Sequence, residues 1–501
     1  VFHRYRTDCF EWNEIGLDPG NGQLLESAVL GGLYGQDTPF GKPLFKTPCN
    51  SHGLRRFLAT EFNRPPVRMP PMIRRFASAG VEISIRFLLL FSSCKAMAAP
   101  TVHGPAGIFV IGDTRPVAGE VAKFDLDFVS GYTLRMTWKD IESWNPNIGA
   151  PAYDFSRIDA TLEDLRARGK RMTLEIFITK APDYVMALPD TLTWVNPHPQ
   201  QGGVQPLPWD ANSQAAYAAM MRAMADHQVA GTSWRMADHP TLESIDASIV
   251  GLQGLRELSG TLVADSRYDR ETFIQSVVDS VASNREAFPA KFGFLALFAM
   301  DDNEPGESLD EAVYARLMAR FNVPGAPSLG FFQETLSDAG PNPDTLGKLL
   351  KQASSQTYVM FQALRPWELR AGETRPPEIA SGTPVTGLRH AWTNYGSTYV
   401  ELYGADLLAT ANQAPLRKWN RFLQAANAIR SGKERLAIES AAGTDILRWS
   451  ADPLLSYRLW SAGPTWEWAP ESFTSSSGEI QLPHRNDLPS RFFRVEALPP
   501  E

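Results

Sequence analysis

Eight short apolar runs recur along the chain between residues 107 and 403, and that repetition constrains the fold more than any other feature. They are "GIFVIG" (107–112), "YTLRMTW" (132–138), "RMTLEIF" (171–177), "SIVGLQGL" (248–255), "FGFLALFAM" (292–300), "SLGFFQET" (328–335), "TYVMFQAL" (357–364) and "TYVELY" (398–403). Each is strand-length, and amphipathic stretches lie between many of them. In "SRIDATLEDLRARG" (156–169), Ile158, Leu162 and Leu165 share one helical face. In 270–288 the same holds for Phe273, Val277 and Val281. "SLDEAVYARLMARF" (308–321) opens with a serine cap and an acidic first turn. Eight strands interleaved with helices predict a (β/α)8 barrel. An open doubly wound sheet is the competing arrangement. No glycine-rich phosphate loop supports it as a nucleotide-binding sheet.

The rest of the 501-residue chain divides around this block. Residues 72–99 read as an export signal: Arg74 and Arg75, the apolar "IRFLLLF", then Ala96-Met97-Ala98 as a small-residue cleavage pattern. Cys94 after "LFSS" would be the lipidated residue of a lipoprotein variant. Residues 1–71 are expected to be a non-native or unstructured extension, and 100–432 the barrel, closed by the helix 414–431. The tail, 433–501, alternates short strands with Pro/Gly/Ser turns and reads as a small β-sandwich-like module. The expected setting is secreted or periplasmic.

Composition excludes some functions. A formal net charge of −8 argues against nucleic acid as the main partner. The three cysteines all precede residue 100, and the eight histidines form no ligand pair, so neither a metal nor another cofactor is expected. The apolar stretch of 72–99 is too short for a permanent membrane span.

In barrels of this kind chemistry sits where strands end. The second run ends in Trp138, followed by Asp140 and Glu142; the fourth leads to Arg256-Glu257. The fifth leads to "DDNEP", the sixth to Gln333-Glu334, the seventh to Gln362, and the eighth carries Glu401 before Tyr403. Charged residues at tips of separate strands fit an open bowl better than a dry core. Two carboxylates facing one cleft suit glycosidic cleavage. One, protonated, serves the leaving oxygen; the other attacks the anomeric carbon or activates water. Trp138, Trp367, Trp392 and Tyr403 are candidate sugar-stacking platforms.

The segment "LRMTWKDIES…YDFSRIDATLEDLRARGKRMTLEIF" resembles one shared by clan A (β/α)8 glycoside hydrolases, notably β-galactosidase-like members. Trp138, Tyr153, Asp154, Phe155, Asp159, Gly169 and Lys170 carry the match, over roughly residues 130–180. The C-terminal "YRLWSAGPTWEW…FFRV" looks like the β-module often attached to secreted bacterial enzymes. The resemblance implies a hydrolase of O-glycosidic bonds in a β-linked saccharide, with its acid/base residue at the end of strand four and its nucleophile at the end of strand seven. That places Glu257 as acid/base, with Arg256 where the family usually has Asn. It also places Gln362, an amide that cannot attack, at the nucleophile position. Glu334 or Glu401 could supply the second carboxylate. Alternatively the strand count shifts by one and Asn303-Glu304-Pro305 becomes the acid/base motif. The rival class is a non-catalytic carbohydrate-binding barrel.

Overall fold

The computed structural model describes residues 103–111, 121–177, 181–196, 203–247, 260–323, 326–327, 329–338, 340–341, 345–368, 374, 382–431, 436–441, 444–462, 468–475, 478–483 and 492–500. All belong to one compact unit, Leu88–Glu501. The expected extension (1–71), export signal (72–99) and Cys94 lie outside the described residues.

Eight parallel strands close into a barrel: β1 (Gly107–Ile111), β2 (Gly131–Thr137), β3 (Arg171–Phe177), β4 (Leu242–Asp246), β5 (Phe292–Ala296), β6 (Leu329–Leu336), β7 (Val359–Ala363) and β8 (Tyr399–Leu402). β1 pairs with both β2 and β8, which removes the sheet edges. The open-sheet alternative is thereby excluded. Seven strands fall on the apolar runs of the sequence. The fourth barrel strand is "LESID" (242–246), ahead of the expected run 248–255, which lies outside the described residues. Its Leu242 and Ile245 pack outward in the main core, while Ser244 and Asp246 alternate toward the axis. A strand with a polar inner face does not read as an apolar run.

Helices wrap the barrel: α1 (Ser156–Ala167), α2 (Ala211–Asp226), α3 (Arg270–Ala287), α4 (Leu309–Phe321), α5 (Thr345–Ala353), α6 (Pro384–Tyr395) and α7 (Thr410–Arg430). Several of their starts are capped. Asp210 accepts from Ser213 N at 2.7 Å, Asp269 from Thr272 N at 2.8 Å, and Ser308 forms a capping box with Glu311. α6 begins with Pro384 and ends at Gly396, whose φ of 59° is the left-handed turn that stops it. On α1, Ile158, Leu162 and Leu165 are all fully buried, as their spacing requires.

α7 shuts the bottom of the barrel. Asn420 Oδ1 accepts from Ile108 N at 2.8 Å and from the Ser130 hydroxyl at 2.7 Å, and Asn427 bonds both backbone groups of Gly104. Two three-stranded antiparallel sheets follow. One runs β9 (Ala437–Ala441), β10 (Thr444–Arg448), β13 (Glu479–Pro483); the other runs β12 (Trp468–Ser475), β11 (Ser456–Ala462), β14 (Phe492–Leu498). Leu447 and Ile480 of the first meet Leu459 of the second in one buried cluster. Leu455, Tyr457 and Ala497 join the core of the barrel's helical layer, and Arg421 of α7 pairs with Asp452 at 3.0 Å. Among the described residues no helix is long and apolar enough to cross a membrane.

Candidate active site

Strand alternation divides the barrel interior into two levels. Nearer the strand starts, Phe109, Phe294, Ala296, Phe332, Tyr358, Met360 and Tyr399 fill the axis with apolar volume. Gly330 has no side chain because the Tyr358 ring occupies that space. One or two residues further along, the same strands point polar groups inward. β2 and β3 run in register, so Thr133 sits beside Thr173 and Arg135 beside Glu175. Ser244 pairs with Thr173, and Gln362 with Glu401. Arg135 is the hub. Its Nε donates to Glu175 Oε2 at 2.6 Å, one terminal nitrogen donates to Gln362 Oε1, and Glu401 Oε2 lies at 3.8 Å.

Hydroxyls complete the second level. Thr133 donates to Glu401 Oε1 at 2.6 Å. The Tyr399 hydroxyl lies 2.6 Å from the same oxygen and 2.9 Å from Thr173 Oγ1, which in turn is 2.7 Å from Ser244 Oγ. Glu401 Oε2 and both carboxylate oxygens of Asp246 are buried and accept no hydrogen bond among the described residues.

This crowding separates the acids electrostatically. Burial pushes the Glu401 carboxyl up to about 8, and Glu175 adds to the rise; Arg135 and the two hydroxyls oppose it. Burial also raises Asp246 well above the ordinary carboxylate range, with Glu175 and Glu401 contributing. Burial works against the charge of Arg135, but Glu175, Glu401, Glu334 and Tyr403 outweigh it and raise its pKa. A carboxyl that stays neutral near pH 7 therefore sits beside a carboxylate engaged by a guanidinium. Such a pair can give a proton from one member and hold negative charge on the other. Among the described residues no group of three acidic, His or Cys side chains is set to hold a metal.

The sequence candidates fall into distinct places. Glu257 and Arg256 lie outside the described residues, which end at Ala247 and resume at Gly260. Glu334, on β6, is 6% exposed and acts electrostatically on Arg135, as does Tyr403 just past β8. Glu401 and Gln362 join them through Arg135, though as floor rather than rim. Gln333 does not. It alternates outward on β6, and its amide donates to Leu297 O at 2.9 Å.

Three tryptophans are corrected as platforms. Trp138 is 1% exposed, with its indole N–H on Glu142 and its ring edge-on to Tyr217. Trp367 is equally buried and donates to Asp338 at 2.6 Å. Trp392 lies on an outer helix between Phe422 and Arg430. The shifted count is also corrected. Glu304 is exposed in the loop after β5, the fifth strand around the barrel, so Asn303-Glu304-Pro305 does not end strand four.

Arg135, Glu175 and Asp246 did not emerge from the strand tips. Their signal was present: Arg135 and Glu175 are each the fifth residue of an otherwise largely apolar strand. A charge in that position must meet a partner across the barrel.

No family model matches the chain, and no curated protein matches it. Solved structures give distant likenesses. An endo-1,4-β-mannanase from Rhizomucor miehei is 9% identical, covering 60% of this chain and 85% of its own, with a TM-score of 0.42. An endo-β-1,4-mannanase from Thermotoga petrophila is 10% identical, covering 79% and 96%, with a TM-score of 0.40. A psychrophilic family 10 endo-β-1,4-xylanase is 13% identical, covering 60% and 86%, with a TM-score of 0.36. Likenesses this distant say nothing about the chemistry of this chain, which rests on its own residues.

Proposed function

We propose that the protein is a glycoside hydrolase that cleaves O-glycosidic bonds of a β-linked saccharide by two-carboxylate chemistry. One observation carries this: Glu175, Asp246, Glu334 and Glu401, from four different strands, converge on Arg135 at the carboxyl ends of the barrel strands. Glu401 is the proton donor in this proposal. Burial keeps it neutral, and its Oε2, free of hydrogen bonds among the described residues, is the atom that faces the leaving oxygen. Glu334 and Glu257 are the candidates for the carboxylate that attacks the anomeric carbon or activates water. Gln362 holds Arg135 and takes no covalent part. Tyr403 lines the same bowl, the strands after 433 form an accessory sandwich-type module, and 72–99 directs export to where saccharide polymers are met.

The test is sugar release from a panel of chromogenic β-glycosides and soluble β-linked polysaccharides. Glu401→Gln, Glu334→Gln and Glu257→Gln are compared with wild type. Loss of the proton donor should lower kcat about 10²–10⁴-fold. A wild-type protein inert on the whole panel, or a Glu401→Gln variant of full activity, sinks the proposal. The second reading, a carbohydrate-binding barrel without catalysis, is favoured by the amide at Gln362 and by the complete burial of Glu401. It predicts saccharide binding with no turnover.

A further inference from the structure

Beyond the tip of β2 the chain forms a hairpin, Glu142–Asn145 paired with Ala150–Tyr153. Register puts Glu142 opposite Tyr153 and Trp144 opposite Pro151, so these four side chains share one face. The inner end of that face is locked. Glu142 is 2% exposed and accepts from the Trp138 indole and the Tyr184 hydroxyl; the Tyr153 hydroxyl is a third donor. The outer end is open. Trp144 is 46% exposed, and its ring lies on that of Tyr184 with centroids 5.4 Å apart and planes 39° apart.

A half-exposed tryptophan on a surface hairpin would normally lose a rotamer for nothing. Here its backing ring is fixed by a buried carboxylate, so the exposed face is held in place before any partner arrives. Polar groups adjoin the backing residue. Lys139 and Asp183 pair at 2.6 Å, both at least half exposed, and Asp183 directly precedes Tyr184. A flat apolar face edged by hydrogen-bonding groups is complementary to a pyranose ring, which offers C–H bonds on its faces and hydroxyls around its rim. The hairpin leaves the barrel at the same end as the acids.

We infer that Trp144, backed by Tyr184 and anchored through Glu142, is a saccharide-stacking site on the barrel rim that binds a sugar unit distant from the bond being cut. The inference rests on the saccharide reading of the barrel.

It is tested with the intact chain by affinity electrophoresis in native gels containing a soluble galactomannan, an arabinoxylan or a mixed-linkage β-glucan. At least one should retard the wild type. Trp144→Ala should weaken that retardation five-fold or more and Trp144→Phe less than two-fold. Tyr184→Phe, which frees the backing ring from Glu142, should weaken it about two-fold. Hydrolysis of a small chromogenic glycoside should be unchanged in Trp144→Ala. Retardation identical in wild type and Trp144→Ala, or absent in all gels, overturns the site. So does a fall in sedimentation coefficient from dimer to monomer in Trp144→Ala, which would make this face a protein contact. Retention is read without turnover. An inactive but retained protein keeps the stacking site and defeats hydrolysis, while an active protein indifferent to Trp144 does the reverse.

Discussion

The lower and upper halves of the barrel interior are made by the same strands and differ in almost every physical respect. Below, Phe109, Phe294, Phe332 and Met360 fill the axis as an ordinary core. Above, Glu175, Asp246, Gln362 and Glu401 occupy the equivalent inward positions just as deeply, around an Arg135 side chain that is 13% exposed. An apolar interior gains from every contact and has no preferred partner. A polar interior must match each charge, or hold a proton where it cannot. The upper half therefore stores a defined protonation state, at a stability cost that the lower half covers.

Truncation on the two levels sharpens this contrast most. Phe332→Ala should cost about 3–5 kcal/mol, read by urea unfolding, and the cost should be the same at pH 5 and pH 8. Arg135→Met should cost a similar amount, about 3–5 kcal/mol, because Glu175 loses its cation inside the barrel. Its cost should grow from pH 5 to pH 8, as the unpaired carboxyls are pressed to ionise. Equal pH dependence for both variants would erase the distinction between the halves.

A smaller effect lies in the proton itself. The Glu401 pKa rises from 4.5 unfolded to about 8 folded. Its contribution to stability is therefore complete below pH 4.5 and lost as pH rises to 8. Across that window one proton gives a slope of about 1.4 kcal/mol per pH unit. Glu401→Gln should remove that slope and be more stable than wild type at pH 8, relative to pH 5. A slope of the same sign should persist from Asp246, also raised by burial. Denaturant titrations at several pH values measure both.

The smallest effect is at the seam. Tyr399 stacks on Phe109 at 4.5 Å in the lower half and reaches Glu401 with its hydroxyl. Tyr399→Phe should keep the packing and cost about 1 kcal/mol for the lost hydrogen bond. That bond favours the ionised carboxyl, so its removal should move the Glu401 titration, followed by carboxyl NMR, to higher pH.

How much of this was legible depended on which side of a strand carried the signal. The outward faces bury against helices, so Leu134, Leu174, Phe331 and Phe361 gave apolar runs at the right places. The helices announced themselves through caps such as Ser308 and stripes such as Ile158-Leu162-Leu165. β4 was hidden because its inner residues are Ser244 and Asp246. The tryptophans misled because an indole suits a core pocket with one acceptor as well as it suits a sugar: Trp138 found Glu142 and Trp367 found Asp338. Trp144 had no apolar run around it to distinguish it.

Local order, the succession of strand and helix and the residues that face outward, was determined by the sequence alone, since periodicity and capping act over a few residues. Which acids meet was decided only by closure of the barrel. Arg135, Glu175, Gln362 and Glu401 are up to 266 positions apart and become neighbours through strand register, a long-range property that no stretch of sequence contains. Their protonation followed from the same step, because burial and mutual charge exist only once the strands are assembled.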